Sequence, residues 1–380
     1  MTAKSQSMLY ESFQFKGISF KNRIVMPPMT RCRAAQPGNV PTALMAQYYG
    51  QHTDAGLIIA EATQVSEDAQ GYSFTPGIHS KEQIEGWKLV TDAVHRNGGQ
   101  IFLQIWHTGR MSHASFHHGD APFAPSAIET PDGTTVWIAN EDGSGGSMHR
   151  CTPPRAMTLA EIKRVQDDFV QAAANAKEAG FDGVELHGGN GYLIDEFLRK
   201  SSNQRDDAYG GSPESRVRFV VEILERLVKV FPPSRIGVRF APHNQSRGMD
   251  DPDTPETVLL ALVKMAALDI GYVHFAEVDW DAEPNVPEEF RALARAVFPN
   301  LIIVAGNYTQ ERADWTLEKG YADMVAFGRL FIANPDLPRR LQEQLPLNAL
   351  RPEHLFGGEA EGYIDYPRSE DAAAMAQARE

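Results

Sequence analysis

Short runs dense in Val, Ile, Leu and Phe recur along the chain, separated by longer stretches in which apolar residues return every three or four positions. Eight such runs stand out: RIVMPP from 23, GLIIAEA from 56, QIFLQIW from 100, GVELHG from 183, RIGVRFAP from 235, GYVHFAE from 271, LIIVAG from 301 and MVAFGR from 324. Most lack the alternation of a half-exposed strand. Near-continuous apolar runs belong to strands covered on both faces, which favours a parallel sheet with helices outside it. Helix signals fill the gaps. Residues 80–99 open on Ser80 and close on Gly98 and Gly99; residues 157–180 open on a capping box from Thr158 to Glu161 and close on Gly180. Further helices are predicted over about 213–230, 255–268, 286–298 and 309–319. Eight strands in regular alternation with helices predict an α/β fold, a closed (βα)8 TIM barrel, rather than an open doubly wound sheet.

The barrel is expected to occupy 1–380 as one domain. Residues 1–22 precede the first strand and would close the barrel's bottom. Residues 107–156 form a long insertion between the third strand and its helix, rich in His, Gly, Pro and Ser, with a hairpin signal in DGTTVWIANEDGSGG. A loop of that length predicts a lid or pocket wall. The polar, Ala-rich tail at 365–380 is expected to fray. No apolar stretch reaches the ~20 residues of a membrane span, the N-terminus lacks a signal-peptide core, and Cys32 and Cys151 are too few for a disulfide framework. The expectation is a cytoplasmic protein with no membrane partner. A formal net charge of −14 repels a nucleic-acid backbone and excludes it as an expected partner.

In this fold function sits at the C-terminal ends of the strands. That rule selects Pro28, Met29 and Thr30, then Ala60 and Glu61, Gln104 and Trp106, His187 and Asn190, Arg239, Gly306 with Asn307, and Gly328 with Arg329. The last two pairs follow strands seven and eight, where glycines let backbone N–H groups approach an anion and an arginine can clamp it, so a bound phosphate is predicted. His187, Asn190 and Tyr192 share one glycine-spaced loop, the pattern of a pocket with polar tips. Arg239 ends a strand that should be buried and requires a negative partner, either Glu61 or another carboxylate. His107, His113, His117 and His118 could in principle bind metal, but no two-histidine and carboxylate spacing falls at strand ends, so no metal is expected.

These motifs together are familiar. Over roughly residues 8–368 the chain resembles the Old Yellow Enzyme family of flavin-dependent ene reductases. The resemblance rests on NRIVMPPMTR at 22–31, QIWHTGR at 104–110, AGFDGVELHGGNGYLIDEFL at 179–198, SSNQRDDAYGGSPESR at 201–216, AFGR at 326–329 and EGYIDYP at 361–367. It is most similar to the bacterial nitrate-ester and N-ethylmaleimide reductases. Thr30, with H-x-x-N at 187–190, marks the plant-like and bacterial branch rather than the thermophilic-like one. The resemblance implies FMN across the barrel mouth, its phosphate held by Arg329, Gly328, Gly306 and Asn307. Gln104 would meet the pyrimidine edge, Pro28, Met29 and Ala60 would pack the ring, and Thr30 would donate near N5. Arg239 would stand beside N1 and the C2 carbonyl. It further implies NADPH or NADH as reductant and activated alkenes as substrates. His187 and Asn190 would bind the substrate oxygen, as they would the oxygen of phenolic ligands, and Tyr192 would deliver a proton. Tyr72, Trp106, Tyr363 and Trp280 would form aromatic walls.

Two readings of other classes compete. One is a metal-dependent hydrolase on the same barrel, using histidines of the insertion with Glu61 or Glu185. The other is a flavin-binding protein without turnover.

Overall fold

The apolar runs fold because a parallel strand buried on both faces leaves no polar position to satisfy, and all eight become strands of one sheet. In the computed structural model, which describes residues 7–140, 145–277 and 286–371, they are β1 (Ile24–Met26), β2 (Leu57–Gln64), β3 (Ile101–Trp106), β4 (Gly183–Gly188), β5 (Ile236–Phe240), β6 (Tyr272–Ala276), β7 (Leu301–Ala305) and β8 (Met324–Ala326). Each pairs in parallel with the next, and β8 returns to β1 through Val325 opposite Ile24, closing the barrel. The outer layer comprises α1 (Ala43–Gly50), α2 (Lys81–Arg96), α3 (Leu159–Glu178), α4 (Pro213–Leu227), α5 (Thr254–Ala267), α6 (Glu288–Val297), α7 (Gln310–Glu318) and α8 (Leu337–Glu343). Full capping boxes start α2 at Ser80 with Gln83 and α3 at Thr158 with Glu161, satisfying N–H groups that the first helical turn leaves without partners.

Alternation along each strand divides the core in two. Outward residues such as Ile58, Ile101, Leu103, Val184, Leu186, Val238 and Val304 pack against the helices. Inward residues such as Val25, Leu57, Ile59, Phe102, Tyr272, Leu301, Ile303 and Met324 fill the barrel itself, together with Ile18 and Phe20 from a hairpin of Phe13–Phe15 and Ile18–Phe20. That hairpin joins the lower interior cluster, at the end opposite the site. The insertion carries a second hairpin, Thr135–Ala139 against Gly146–Arg150, whose connecting residues lie outside the described ones. Within the tail, the described residues 365–371 are hydrogen-bonded to the barrel. Arg368 Nη2 donates to Asp54 at 2.8 Å and the Ser369 amide to Asp336 at 2.7 Å. The remainder of the tail, 372–380, lies outside the described residues.

Two inward glycines make room for inward rings. A β carbon on Gly237 would stand 2.1 Å from the Tyr272 ring, and one on Gly183 would stand 2.5 Å from the Phe102 ring. Replacing Gly237 by Ala therefore overpacks the interior and should cost about 1–3 kcal/mol. The expected result is a lower urea midpoint at unchanged slope; an unchanged midpoint would mean that the Tyr272 ring yields freely.

Candidate active site

Above the apolar floor the inward positions turn polar. Gln104 Nε2 donates to Glu185 Oε1 at 2.7 Å, and His274 Nδ1 lies 2.9 Å from Glu185 Oε2. Burial lowers the His274 pKa despite the neighbouring carboxylate, so the ring is neutral and its Nδ1 proton faces Glu185. A carboxylate only accepts, so Glu185 also selects the orientation of the Gln104 amide: the nitrogen faces Glu185, leaving the carbonyl oxygen for the space above. Arg239 pairs in register with His187 on one side and His274 on the other. Burial lowers its pKa, and the carboxylate that most opposes this is Glu185, not Glu61.

Over this layer opens a cavity of about 860 Å³. Pro28, Met29 and Thr30 from the β1 end, Gln104 and Trp106 from β3, His187, Asn190 and Tyr192 from the β4 end, and Arg239 from β5 all line it. Gly306, Asn307, Gly328 and Arg329 line it at β7 and β8, where Gly306 (φ 149°) and Asn307 (φ 49°) turn consecutive N–H groups in a positive-φ turn and Arg329 donates to Asn307 Oδ1. Cys32, Asn190 and Arg247 are further left-handed non-glycine residues on its wall. Such conformations persist where surrounding contacts impose them, and they cluster at functional sites.

One wall is an aromatic stack. Tyr72 lies parallel to Trp106 with ring centroids 5.9 Å apart, Trp106 stacks on His187 at 5.9 Å, and Tyr192 stands edge-on to Trp106 at 4.7 Å and to His187 at 4.8 Å. The Tyr72 and Tyr192 hydroxyls are 3.2 Å apart. Burial, then Arg239 and Arg247, push His187 well below its ordinary pKa, so its ring is neutral and can donate from one nitrogen. Asn190 Oδ1 accepts from Asn244 Nδ2 at 3.4 Å, which leaves the Asn190 amide nitrogen as the donor for the cavity.

Three expected residues fall elsewhere. Ala60 does not line the cavity; it packs outward against the helices, and Ala62 takes the position over the barrel. Ala60 shares the outward parity of Ile58, and a bulge in β2 just beyond it, where the pairing with β3 shifts between Ala60 and Thr63, brings Ala62 rather than Glu61 to the inner face. Glu61 thereby turns away to accept from the Arg31 amide and from Tyr49 on α1. Tyr363 is fully buried outside the cavity, stacked on Tyr48 at 4.0 Å beneath the guanidinium groups of Arg31 and Arg33. Trp280 lies outside the described residues. Sequence reasoning also missed Ala62, Trp137, Met148, Arg247 and Phe356, all on the cavity wall. Trp137 and Met148 belong to the insertion hairpin, so the insertion was a signal for them; Arg247 and Phe356 follow no motif.

The sequence profile of the NADH:flavin oxidoreductase / NADH oxidase family matches residues 8–348. 12-Oxophytodienoate reductase 1 of Oryza sativa subsp. japonica is 40% identical over 375 residues, covering 96% of this chain and 93% of that protein. A flavin oxidoreductase of Emericella nidulans is 38% identical, covering 94% and 97%. Among solved structures, morphinone reductase superposes with a TM-score of 0.92 at 41% identity, covering 98% of this chain and 99% of the other. The old yellow enzyme homologue from Zymomonas mobilis gives 0.88 at 40% identity, covering 94% and 99%. The chain belongs to the Old Yellow Enzyme family.

It is accordingly an NAD(P)H-dependent flavin oxidoreductase with FMN as cofactor. The cavity of this Old Yellow Enzyme fits that group. Arg239 Nε is buried without a hydrogen-bond partner among the described residues, and its Nη1 reaches only Pro28 O at 3.5 Å, so the guanidinium is set to meet electron-rich atoms of a ligand. The hydrolase reading has no support. Among the described residues no three His, Cys, Asp or Glu side chains are arranged to hold a metal ion, and Glu61 and Glu185 are engaged within the fold. No helix of the described residues is long and apolar enough to cross a membrane.

Because Glu185 orients Gln104, Glu185→Gln lets the amide turn and should weaken FMN binding about tenfold, ~1.4 kcal/mol. Fluorescence of FMN released on dilution measures this; an unchanged dissociation constant would detach Gln104 orientation from cofactor binding.

Proposed function

We propose that the enzyme reduces activated C=C bonds of α,β-unsaturated carbonyl or nitro compounds, and takes nitrate esters as a second class of electron acceptor, with NADPH as reductant in a ping-pong cycle. The observation that carries this reading is the convergence of two neutral donors, His187 and Asn190, with the Tyr192 phenol on one cavity that also holds Arg239. FMN, when bound, would supply the hydride chemistry that links the nicotinamide to the β carbon of the alkene.

The residues of this chain do the rest. Gly306, Asn307, Gly328 and Arg329 are assigned to the phosphate, Gln104 to the pyrimidine edge, Thr30 to the carbonyl near N5, and Pro28, Met29 and Ala62 to the ring faces. His187 and Asn190 hydrogen-bond the substrate oxygen and stabilise the negative charge that gathers there as the β carbon receives hydride. A neutral imidazole suits this work, because it offers a fixed donor without adding a second buried charge beside Arg239. Tyr192 holds a proton for the α carbon. Burial raises the Tyr72 phenol well above its ordinary pKa, so the hydroxyl 3.2 Å from Tyr192 stays protonated and orders it. Trp106 and Tyr72 provide the apolar wall against which a flat substrate stacks. Morphinone reductase has been solved in complex with tetrahydroNAD, which supports a nicotinamide coenzyme as the reductant.

A visible spectrum is the first test. The purified protein should be yellow, bleach when NADPH is added anaerobically, and regain colour with cyclohexenone; bleaching with no recovery by any enone or nitroalkene would leave an FMN reductase without this activity. Tyr192→Phe removes only the proton donor, so stopped-flow traces should show reoxidation by cyclohexenone slowed ~10²-fold or more. Flavin reduction by NADPH should stay within a few-fold of wild type. Equal reoxidation rates would reassign proton delivery to water. Replacing both His187 and Asn190 by Ala should raise the dissociation constant of a para-substituted phenol at least tenfold, ~1.4 kcal/mol. Identical phenol titrations would remove both from the oxygen-binding role.

A further inference from the structure

We propose that Glu185 sets the reduction potential of the bound FMN, its buried negative charge opposing the pull of Arg239 on electrons that enter the flavin, so that the reduced cofactor readily gives hydride away. The inference goes beyond the choice of substrate; it rests on the assignment of Arg239 to the electron-rich edge of the flavin ring.

Glu185 is fully buried on β4, and both its oxygens are held, Oε1 by the Gln104 amide at 2.7 Å and Oε2 by His274 at 2.9 Å. It stands in register with Gly237, two residues before Arg239 on β5. Because donors from β3 and β6 engage both oxygens, the carboxylate does not turn to form a direct ion pair with the guanidinium, whose Nε has no hydrogen-bond partner among the described residues. Arg239 therefore feels this charge through space, as the carboxylate that most supports its protonated form, and stays available to a ligand. The titratable rings around the pair add no charge of their own. His187, in register with Arg239, and His274 are both held neutral by burial. Burial, then Glu185, raise the Tyr272 phenol well above its ordinary pKa, so it too is neutral.

Hydrogen bonding alone does not call for a carboxylate at this position, because an amide also accepts. What a glutamate adds is charge, and a buried charge is costly unless it acts on another. When NADPH reduces FMN, two electrons and one proton pass to the flavin as hydride, NADP+ departs, and the flavin gains one unit of negative charge. A buried cation beside the ring favours that state and a buried anion disfavours it, and neither is much screened away from water. Arg239 alone would make the flavin quick to accept hydride and slow to release it. Glu185 below it reduces that bias and brings the two half-reactions toward balance.

The test uses the full-length, FMN-loaded enzyme, its midpoint potential read by equilibration with a reference dye during slow anaerobic reduction. E185Q keeps the shape of the side chain and removes the charge. It should raise the ratio of the FMN dissociation constants, oxidised over reduced, at least tenfold, which for a two-electron couple is a midpoint ~30 mV higher. Stopped-flow traces should then show flavin reduction by NADPH quickened and reoxidation by cyclohexenone slowed. E185D, which keeps the charge, should hold the midpoint near that of wild type even where packing suffers. A merely structural role would slow both half-reactions and leave the midpoint in place. An unchanged or lowered midpoint in E185Q overturns the proposal, and so does an E185D midpoint displaced as far as that of E185Q. If E185Q does not fold or retain FMN, the exchange E185Q/Q104E decides, since it preserves the buried hydrogen bond and moves the negative charge to the flavin edge. Its midpoint should lie at or below that of wild type, and a higher one overturns the proposal. If no enone reoxidises the reduced wild-type enzyme, the ene-reductase reading fails instead, and the midpoints still decide the role of Glu185.

Discussion

In a closed parallel barrel alternate residues of each strand must point inward, and the pairing register decides which of them share a layer. Here that constraint brings one buried carboxylate, Glu185, between Gln104 of β3 and His274 of β6, directly below the cavity. Everything polar above depends on it. It orients the Gln104 amide, supplies the attraction that supports Arg239, and is itself satisfied by donors rather than exposed to water. The layer below is apolar, and its bulky rings fit because Gly237 and Gly183 leave space opposite Tyr272 and Phe102. A polar layer set on a packed floor cannot sink, so the residues lining the cavity keep their height above the barrel.

The electrostatics follow from the same economy of partners. The chain is strongly acidic, yet arginines line its cavity. Arginine also holds the cavity's rim. Arg31 donates to the carbonyls of Leu355 and Gly362 and to Tyr48, and Arg33 donates to the carbonyls of Glu359 and His354. Guanidinium groups that bond main-chain carbonyls tie a loop down whatever its side chains, and this brings Leu355 and Phe356 to the cavity wall. Glu61, released from the interior by the β2 bulge, accepts from the Arg31 amide and so joins the β1 loop to β2. Its burial raises its pKa to about 7, against the pull of Arg31.

Much was legible in the chain before any coordinates. The strands, the helices and the caps at Ser80 and Thr158 are local patterns, set by residues a few positions apart, and the barrel follows from their number and order. The glycine and arginine corner at Gly306, Asn307, Gly328 and Arg329, to which a phosphate is assigned, and the group of His187, Asn190 and Tyr192 could be selected because the fold places strand ends together at one mouth. What the tertiary structure alone decided is facing and long-range contact. The β2 bulge turns Ala62 inward in place of Glu61, since one inserted residue reverses a period of two. Tyr363 leaves the expected wall because Tyr48 and two arginines, more than three hundred residues away in sequence, offer it a stacked, buried place. Trp137, Phe356 and Arg247 reach the cavity through folding of an insertion, a tied-down C-terminal segment and a strained turn. No periodicity records such approaches, because they depend on where distant segments meet rather than on which residues are neighbours in the chain.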